Sequence, residues 1–322
     1  MNTTPSPSRC RPLLESLETR QLLAAILSGQ YVTGALALGE TEVHTFTGTA
    51  GTALIFNLAE QDLQGGSSDP SSPAFQLRAP DGVQIATDWD YDGLTYSTAS
   101  LPKSGTYSIS IYDHALNSTL DYQFSLFTSG TPIDTTDAGS GSIQNGRYYA
   151  RTLQPGELNV NTLRVRAGGS IYAAHAEQTP VGGSSDDSSP AVAIIGPNGN
   201  LLDSVSDYDG ASTLVQNVTT DGLYYIVTFD QNANSAMQTG LTVAAGRAEA
   251  PVDDGNNNGL LVEGSPRTST YAPGEINVYP IAAEAGTSLN VTVTETVTGG
   301  GSSDPSSPAL ILLSPDGSVL YN

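Results

Sequence analysis

Residues 65–74 read GGSSDPSSPA, and nearly the same ten residues return twice further along the chain. Residues 182–191 read GGSSDDSSPA and residues 300–309 read GGSSDPSSPA, so the spacings are 117 and 118 residues. Each copy leads into an apolar, strand-like run and then into a Pro-Asp-Gly or Pro-Asn-Gly turn, at 80–82, 197–199 and 315–317. A period of this length is the size of a whole domain, whereas the unit of a solenoid is much shorter. The sequence therefore predicts tandem domains.

Other motifs return at the same offset. Asp90-Tyr91-Asp92-Gly93 is matched by Asp207-Tyr208-Asp209-Gly210, and the run that begins at Gly105 is matched by the run that begins at Gly222. We predict a leader at 1–27 and two complete repeats at 28–130 and 139–247. Linkers follow these repeats at 131–138 and 248–256, and a partial third repeat spans 257–322. Asn322 aligns with Ser204 of the second repeat, so we expect the chain to be a fragment of a longer protein, with a third repeat that lacks a closed core.

Within each repeat, short stretches alternate between apolar and polar residues and are separated by turn residues, which is typical of β-strands. In the first repeat they lie at 43–47, 53–58, 74–78, 83–86, 106–112 and 122–127. About seven or eight strands per repeat predict an all-β protein of tandem antiparallel β-sandwich domains, jelly-roll-like or immunoglobulin-like. The chain has one Cys, so no intradomain disulfide supports a true immunoglobulin domain.

Composition narrows the function classes. The 322 residues carry 11 basic and 33 acidic side chains, a net charge of −22, which argues against nucleic acid and against an anionic membrane surface as partners. The single Cys excludes a disulfide framework and Cys-rich zinc sites. No apolar run approaches the roughly 18 residues of a membrane span. Abundant Gly, Ser, Thr, Asn and Asp favour a loop-rich, extracellular protein.

The N-terminus differs from the rest. Residues 11–23 read RPLLESLETRQLL, with leucines at helical spacing. This stretch resembles a short motif, R-P-x-x-E-x-L-E-x-R-x-L-L, at the N-termini of large exported proteins of planctomycete-type bacteria. The resemblance implies export to the cell surface or the medium. The alternative is a disordered leader that is not native to the protein.

The order of features in each repeat resembles the bacterial pre-peptidase C-terminal (PPC) domain. In the first repeat these features are Thr49 to Leu54, Pro73 to Gly82, Asp88 to Gly93 and Gly105 to Ile111. Their counterparts are Arg166 to Ile171, Pro190 to Gly199, Asp207 to Gly210 and Gly222 to Val227. The resemblance implies secreted, non-catalytic β-sandwich modules that are appended to hydrolases or strung along surface proteins.

Acidic residues form the best candidate site. If the strands on either side of Asp81-Gly82 form a hairpin, the acidic segments before and after it return to one end of the domain. Carboxylates gathered there repel each other unless a cation neutralises them, and their hard oxygen atoms suit Ca²⁺. The candidate metal ligands are Glu60, Asp69, Asp88, Asp90 and Asp92 in the first repeat, and Glu177, Asp186, Asp187, Asp207 and Asp209 in the second.

Two other interpretations bear on these acidic residues. Asp88-x-Asp90-x-Asp92-Gly93 resembles the start of an EF-hand loop, but Ala99 stands where that loop has its final Glu, and no helices flank it. We therefore expect a non-helical calcium site. The competing interpretation is that these residues are ordinary solvated turn residues, since Asp and Gly are what turns use.

Catalytic motifs are absent from the sequence: there is no H-E-x-x-H, no G-x-S-x-G and no Gly-rich phosphate loop. The sequence therefore predicts a non-catalytic, exported structural or interaction protein, whose partner is a cell-surface or matrix protein or a polysaccharide. One alternative is a set of accessory modules of a secreted peptidase or glycosidase whose catalytic domain lies outside this fragment. Another is a carbohydrate-binding module that uses the aromatic residues beside the acidic loops, Trp89, Tyr91 and Tyr208.

Overall fold

The computed structural model describes residues 25–61, 71–179, 188–249, 252, 259–295 and 308–322. Within these ranges the regular structure is entirely β-strand, which confirms the predicted all-β fold. No helix in the described part of the chain is long and apolar enough to cross a membrane. The export motif at 11–23 and most of each GGSSD loop lie outside the described residues.

The first repeat is an eight-stranded sandwich. One sheet has the order β1-β8-β3-β6 and the other β2-β7-β4-β5, and every neighbouring pair is antiparallel. The pairs 1–8, 2–7, 3–6 and 4–5 are those of one long hairpin folded over on itself, which is the jelly-roll arrangement. The strands are Val32–Leu36, Thr41–Gly48, Leu54–Glu60, Pro73–Arg78, Gln84–Trp89, Gly93–Thr98, Gly105–Asp113 and Leu120–Thr128 (β1–β8).

The second repeat has the same topology. Its sheets have the orders β10-β17-β12-β15 and β14-β13-β16-β11, and a short strand, β9, adds to the edge of the second sheet by pairing in parallel with β11. The prediction of tandem sandwiches is therefore confirmed. The strands are Gly141–Ser142, Tyr148–Leu153, Leu158–Val165, Ile171–Glu177, Pro190–Ile195, Leu201–Ser206, Gly210–Val215, Gly222–Asp230 and Met237–Ala245 (β9–β17).

Each sandwich has its own core, built by the inward side chains of the alternating strands. In the first repeat Phe46, Phe56, Phe75 and Phe124 are fully buried, and Phe56 packs against both Phe75 and Phe124 with ring centroids 5.1 and 5.7 Å apart. The second core is made of smaller aliphatic residues around Tyr224. Burying such side chains is the main favourable contribution to folding, at about 1.5–3 kcal/mol for each large aliphatic or aromatic residue.

A third apolar cluster lies between the two sandwiches. From the first repeat it contains Ala53, Ile55 and Phe127. From the second it contains residues on the outer face of the sheet that holds β11, β16 and β13, namely Leu158, Val160, Ala191, Ala193, Ile195, Val227 and Phe229. All ten are buried, so the two repeats are joined by a packed sheet-to-sheet interface and not by the linker alone.

The described residues after the second repeat contain little regular structure. Ranges 259–295 and 308–322 contain one hairpin, formed by Leu312–Leu313 (β18) and Val319–Tyr321 (β19), and one isolated bridge between Leu261 and Ile281. Within these two ranges Gly317 alone is buried, so they contain no closed core. The exact domain boundaries stay a prediction.

Candidate functional site

The β4–β5 hairpin brings the acidic segments of the first repeat to one end of the sandwich. Ala74 pairs with Trp89 and Phe75 with Asp88, so the hairpin predicted about Asp81-Gly82 is formed. The backbone N–H of Asp90 donates to the carbonyl oxygen of Pro73 at 3.3 Å. Pro73 begins β4 directly after the GGSSDPSS loop, and the acidic turn therefore lies beside the point where this loop re-enters the sandwich.

A buried glutamate lies at the base of the loop in both repeats. The backbone N–H of Glu60 donates to the carbonyl oxygen of Asp92 at 2.8 Å, and the Ser71 hydroxyl donates to the Glu60 carboxylate. In the second repeat the N–H of Glu177 donates to the Asp209 carbonyl at 2.9 Å, and the Ser188 hydroxyl donates to Glu177 Oε2 at 2.9 Å. Both carboxylates and both serines are buried.

A second buried acid at this end was not found by the sequence analysis. Asp113 ends β7, and its carboxylate accepts the backbone N–H of Ser72 at 3.1 Å and those of Asn117 and Ser118 at 2.9 and 3.1 Å. Its counterpart Asp230 ends β16. The recurrence of Asp at the end of the runs that begin at Gly105 and Gly222 is the signal that could have revealed it.

Asp230 binds its loop in the same way. It accepts the N–H of Ser189 at 2.9 Å, of Asn232 at 3.2 Å and of Ser235 at 3.0 Å. Burial raises the pKa of Asp230 to about 6, and the backbone donors oppose this rise. In each repeat the Glu carboxylate thus accepts the hydroxyl of the first serine of the Ser-Ser-Pro motif. The Asp carboxylate accepts the backbone N–H of the second serine. The recurrence of this motif follows from that anchoring role.

The remaining candidate ligands are placed differently. Asp88, Asp90, Asp207 and Asp209 are exposed, and Asp88, Asp90 and Asp207 each accept the N–H of the next residue. Asp69, Asp186 and Asp187 lie outside the described residues. Among the residues that the structure describes, no three His, Cys, Asp or Glu side chains come together as metal ligands. The calcium site stays a prediction.

An aromatic patch lies beside the acidic turn of the first repeat. Trp89 and Tyr91 are 40% and 39% exposed, and their rings meet edge to face with centroids 5.5 Å apart. The His114 ring stacks on Trp89 at 4.0 Å with an interplanar angle of 11°. The second repeat keeps only Tyr208, because Ser206 and Gln231 occupy the positions of Trp89 and His114. The patch is thus specific to the first repeat.

The other two histidines belong to the cores. His175 is buried, and its Nδ1 lies 3.0 Å from the Ala191 carbonyl oxygen, to which it donates. Burial lowers the pKa of His175 to about 4, so the ring is neutral at physiological pH. His44 is buried and lies 2.8 Å from the Tyr122 hydroxyl. Both rings therefore pack inside a sandwich, away from the surface of the acidic loops.

No protein-family model and no curated protein matches this sequence. Similar solved structures include PliG, a periplasmic inhibitor of g-type lysozyme from Aeromonas hydrophila, with 13% identity over 33% of this chain and 95% of that one, at a TM-score of 0.26. The pre-peptidase C-terminal domain of a Bacillus anthracis collagenase has 14% identity over 32% of this chain and 93% of that one, at a TM-score of 0.25. Tandem CBM51 modules of a family 98 glycoside hydrolase from Streptococcus pneumoniae have 9% identity over 62% of this chain and 79% of that one, at a TM-score of 0.21. At these values the likenesses carry no functional argument.

The buried aspartates give a testable prediction. In Asp230→Asn the amide nitrogen cannot accept a hydrogen bond, so at least one backbone donor loses its acceptor, which costs about 1–3 kcal/mol. Burial raises the pKa of Asp230, so the folded wild type binds this proton more tightly than the unfolded chain does. The wild type therefore loses part of its stability as pH rises from about 4 to about 6, whereas Asn does not titrate and the variant lacks this loss. The deficit of Asp230→Asn in denaturant unfolding should therefore be larger at pH 4 than at pH 7.

Asp113→Asn is the matched variant for the loss of backbone acceptors in the first repeat. A stability deficit of Asp230→Asn that does not change with pH would show that Asp230 is not the group that titrates. A deficit of zero in both variants would show that these carboxylates do not hold their loops.

Proposed function

We propose that this chain is an exported, non-catalytic structural or interaction protein built of PPC-like β-sandwich repeats. The observation that carries this proposal is the duplicated anchor: each repeat holds its Ser-Ser-Pro loop end with the same buried Glu and Asp, in the same geometry. A device repeated in each module supports each module's own loop, whereas an active site needs one constellation. Direct packing of the two repeats against each other also suits a protein that forms an extended array of modules at the cell surface.

The alternative within the same fold is that the repeats are accessory modules of a secreted peptidase or glycosidase. The two proposals differ in what they expect of any coding sequence adjoining that of this chain. Further sandwich repeats would favour a structural protein, and a hydrolase motif would favour the accessory role. Both proposals place the repeats outside the cell.

The export part of the proposal is tested by fractionation of the native host. We expect the full chain on the cell surface or in the medium, and we expect a version without residues 1–27 to stay inside the cell, because the motif at 11–23 lies in that segment. Recovery of the full chain from the cell interior, or unchanged export of the shortened chain, would contradict this role for the leader.

We further propose that Ca²⁺ binds at the acidic loop end of each repeat. The arrangement in support is a buried Glu and Asp at the base of the loop, exposed Asp side chains on the neighbouring turn, and Asp69 or Asp186 within the loop itself. Oxygen ligands of this kind suit Ca²⁺, and cation binding to the folded state alone would stabilise it. Mg²⁺ would fit less well because it demands a tighter octahedron and retains its waters.

Melting curves of the chelator-treated protein test this site. Millimolar Ca²⁺ should raise the Tm by several degrees, and by more than Mg²⁺ does, since a hundredfold excess over Kd stabilises by about 2.7 kcal/mol. Asp90→Ala combined with Asp207→Ala should abolish the increment while leaving the cores intact, because both residues are exposed. Asp81→Asn, at the opposite end of the same hairpin, is the control and should retain the increment. A Tm that does not respond to Ca²⁺ would leave these acids as turn residues.

The aromatic patch of Trp89, Tyr91 and His114 favours polysaccharide as a second candidate partner of the first repeat. Exposed aromatic rings stack on the apolar faces of sugar rings, and this patch lies where the end of β5 meets the turn after β7. The acidic surroundings favour a neutral or amino sugar over an anionic one.

A glycan array probed with the full chain tests this candidate. We expect binding that is lost in Trp89→Ala and kept in Tyr208→Ala, because the second repeat lacks the stacked partner rings. Equal loss in both variants, or no binding by the wild type, would contradict a sugar site at Trp89.

A further inference from the structure

The interface between the first two repeats joins two different surfaces. We call the outer side of β11, β16 and β13 the donor face of the second repeat; it carries Val160, Ala193, Ile195, Val227 and Phe229. We call the outer side of β3 and β8 the acceptor face of the first repeat; it carries Ile55 and Phe127, which are paired across the two strands. Because the two surfaces are unlike, the contact is heterologous, and such a contact can be repeated in one direction along a chain.

Burial along equivalent strands shows which faces are covered. β2 in the first repeat alternates between buried and less buried residues, whereas β11, its equivalent, is buried at seven of eight positions. β13 is buried throughout, whereas β4 alternates toward its end. The donor face is therefore fully buried in the second repeat, and its counterpart in the first repeat is only partly buried.

Two turns of the second repeat dock on the first. The turn Pro155-Gly156-Glu157 lies against the strands of the acceptor face: a Cβ at Gly156 would lie 2.6 Å from the Gln123 carbonyl oxygen, and Ser125 donates its hydroxyl to the Gly156 carbonyl at 2.8 Å. The turn that contains Gly199 lies against Ser129 and Thr52, and the Gly199 carbonyl accepts the N–H of Ala53 at 2.7 Å. Neither turn has room for a side chain at its glycine.

The same two turns of the third segment dock on the second repeat in the same way. Gly274, the counterpart of Gly156, lies against the carbonyl of Gly240, which is the counterpart of Gln123. Gly317, the counterpart of Gly199, lies against Gly246 and Arg247, and Gln178 Nε2 donates to the Pro273 carbonyl at 3.0 Å. The positions that match Ala193 and Ile195 are Ile311 and Leu313, so this donor face is also apolar.

The first repeat differs on its own donor side. For the glycines of its two corresponding turns, Gly39 and Gly82, no atom of the described residues lies within 4 Å of a would-be Cβ. Where the second repeat has Ala193, Ile195 and Val227, the first has Gln76, Arg78 and Ser110. The turn geometry is kept and these three apolar positions become polar, while Val43 and Tyr112 stand at the positions of Val160 and Phe229.

We propose that the chain is a one-way, head-to-tail stack in which each acceptor face binds the donor face of the following repeat. The polar donor face of the first repeat is then an end cap, on which no repeat of this type docks. In repeat proteins each unit gains stability from its neighbour, and a polar face on a terminal unit keeps the array soluble. Neither calcium nor a sugar ligand takes part in this docking.

Matched glycine substitutions in the full chain test the docking. Gly39 and Gly156 have φ angles of 73° and 71°, and Gly82 and Gly199 have 82° and 81°, so Ala imposes the same backbone strain within each pair. Only Gly156→Ala and Gly199→Ala also push against the preceding repeat. We expect each to lower the Tm by about 5 °C or more beyond its control, Gly39→Ala or Gly82→Ala. Equal shifts within both pairs would overturn the docking.

Cysteine labelling tests the cap independently of stability. In a Cys10→Ser background, Ser110→Cys and Val227→Cys place thiols at equivalent positions of the two donor faces. Ser110 is half-buried and Val227 is fully buried. We expect a maleimide to label Ser110→Cys at least about tenfold faster than Val227→Cys, because accessibility governs thiol reaction. Protection of both thiols would show that the first donor face is covered, and rapid labelling of both would show that the repeats do not dock. Either result overturns the proposal.

Discussion

The sheet that contains β11, β16 and β13 is apolar on both faces, and the organisation of the whole chain depends on burying both. Its inner face closes the core of the second sandwich, and its outer face has no partner within that repeat. Ile55 and Phe127 of the first repeat supply that partner, so the chain segment between the two repeats joins bodies that are already packed together. An exposed apolar sheet face of this size would invite aggregation, which gives the interface a physical reason.

The acidic loop ends are held by a different balance of energies. Burying Glu60, Asp113 and their counterparts costs desolvation energy, which shows as the raised pKa of Asp230. Backbone and hydroxyl donors at the ends of the loop would otherwise be buried without acceptors, and this cost is of similar size. The carboxylates therefore fix where each long loop leaves and re-enters its sandwich.

Stacking also relates the acidic ends of neighbouring repeats to each other. A Cβ at Gly93, directly after Asp92, would lie 3.0 Å from the carbonyl oxygen of Asn232 in the loop that follows Asp230. Asn57 Nδ2 donates to the Asp230 carbonyl at 3.0 Å, also across the interface. The acidic turn of the first repeat and the loop that follows Asp230 therefore lie against each other across the interface.

By itself the sequence determined the repeat, the all-β class and the hairpin that carries Asp88 to Asp92 to the loop end, because period-two patterning and turn residues are local signals. The tertiary structure alone decided the jelly-roll order and the separation of buried Glu60 and Asp113 from exposed Asp88 and Asp90. These depend on contacts between distant segments, as between Ser72 and Asp113. The alternation of a strand shows that it has two faces, but it cannot show what covers the outer one. The apolar run at 191–195 was the one local sign that the outer face of the second repeat is covered.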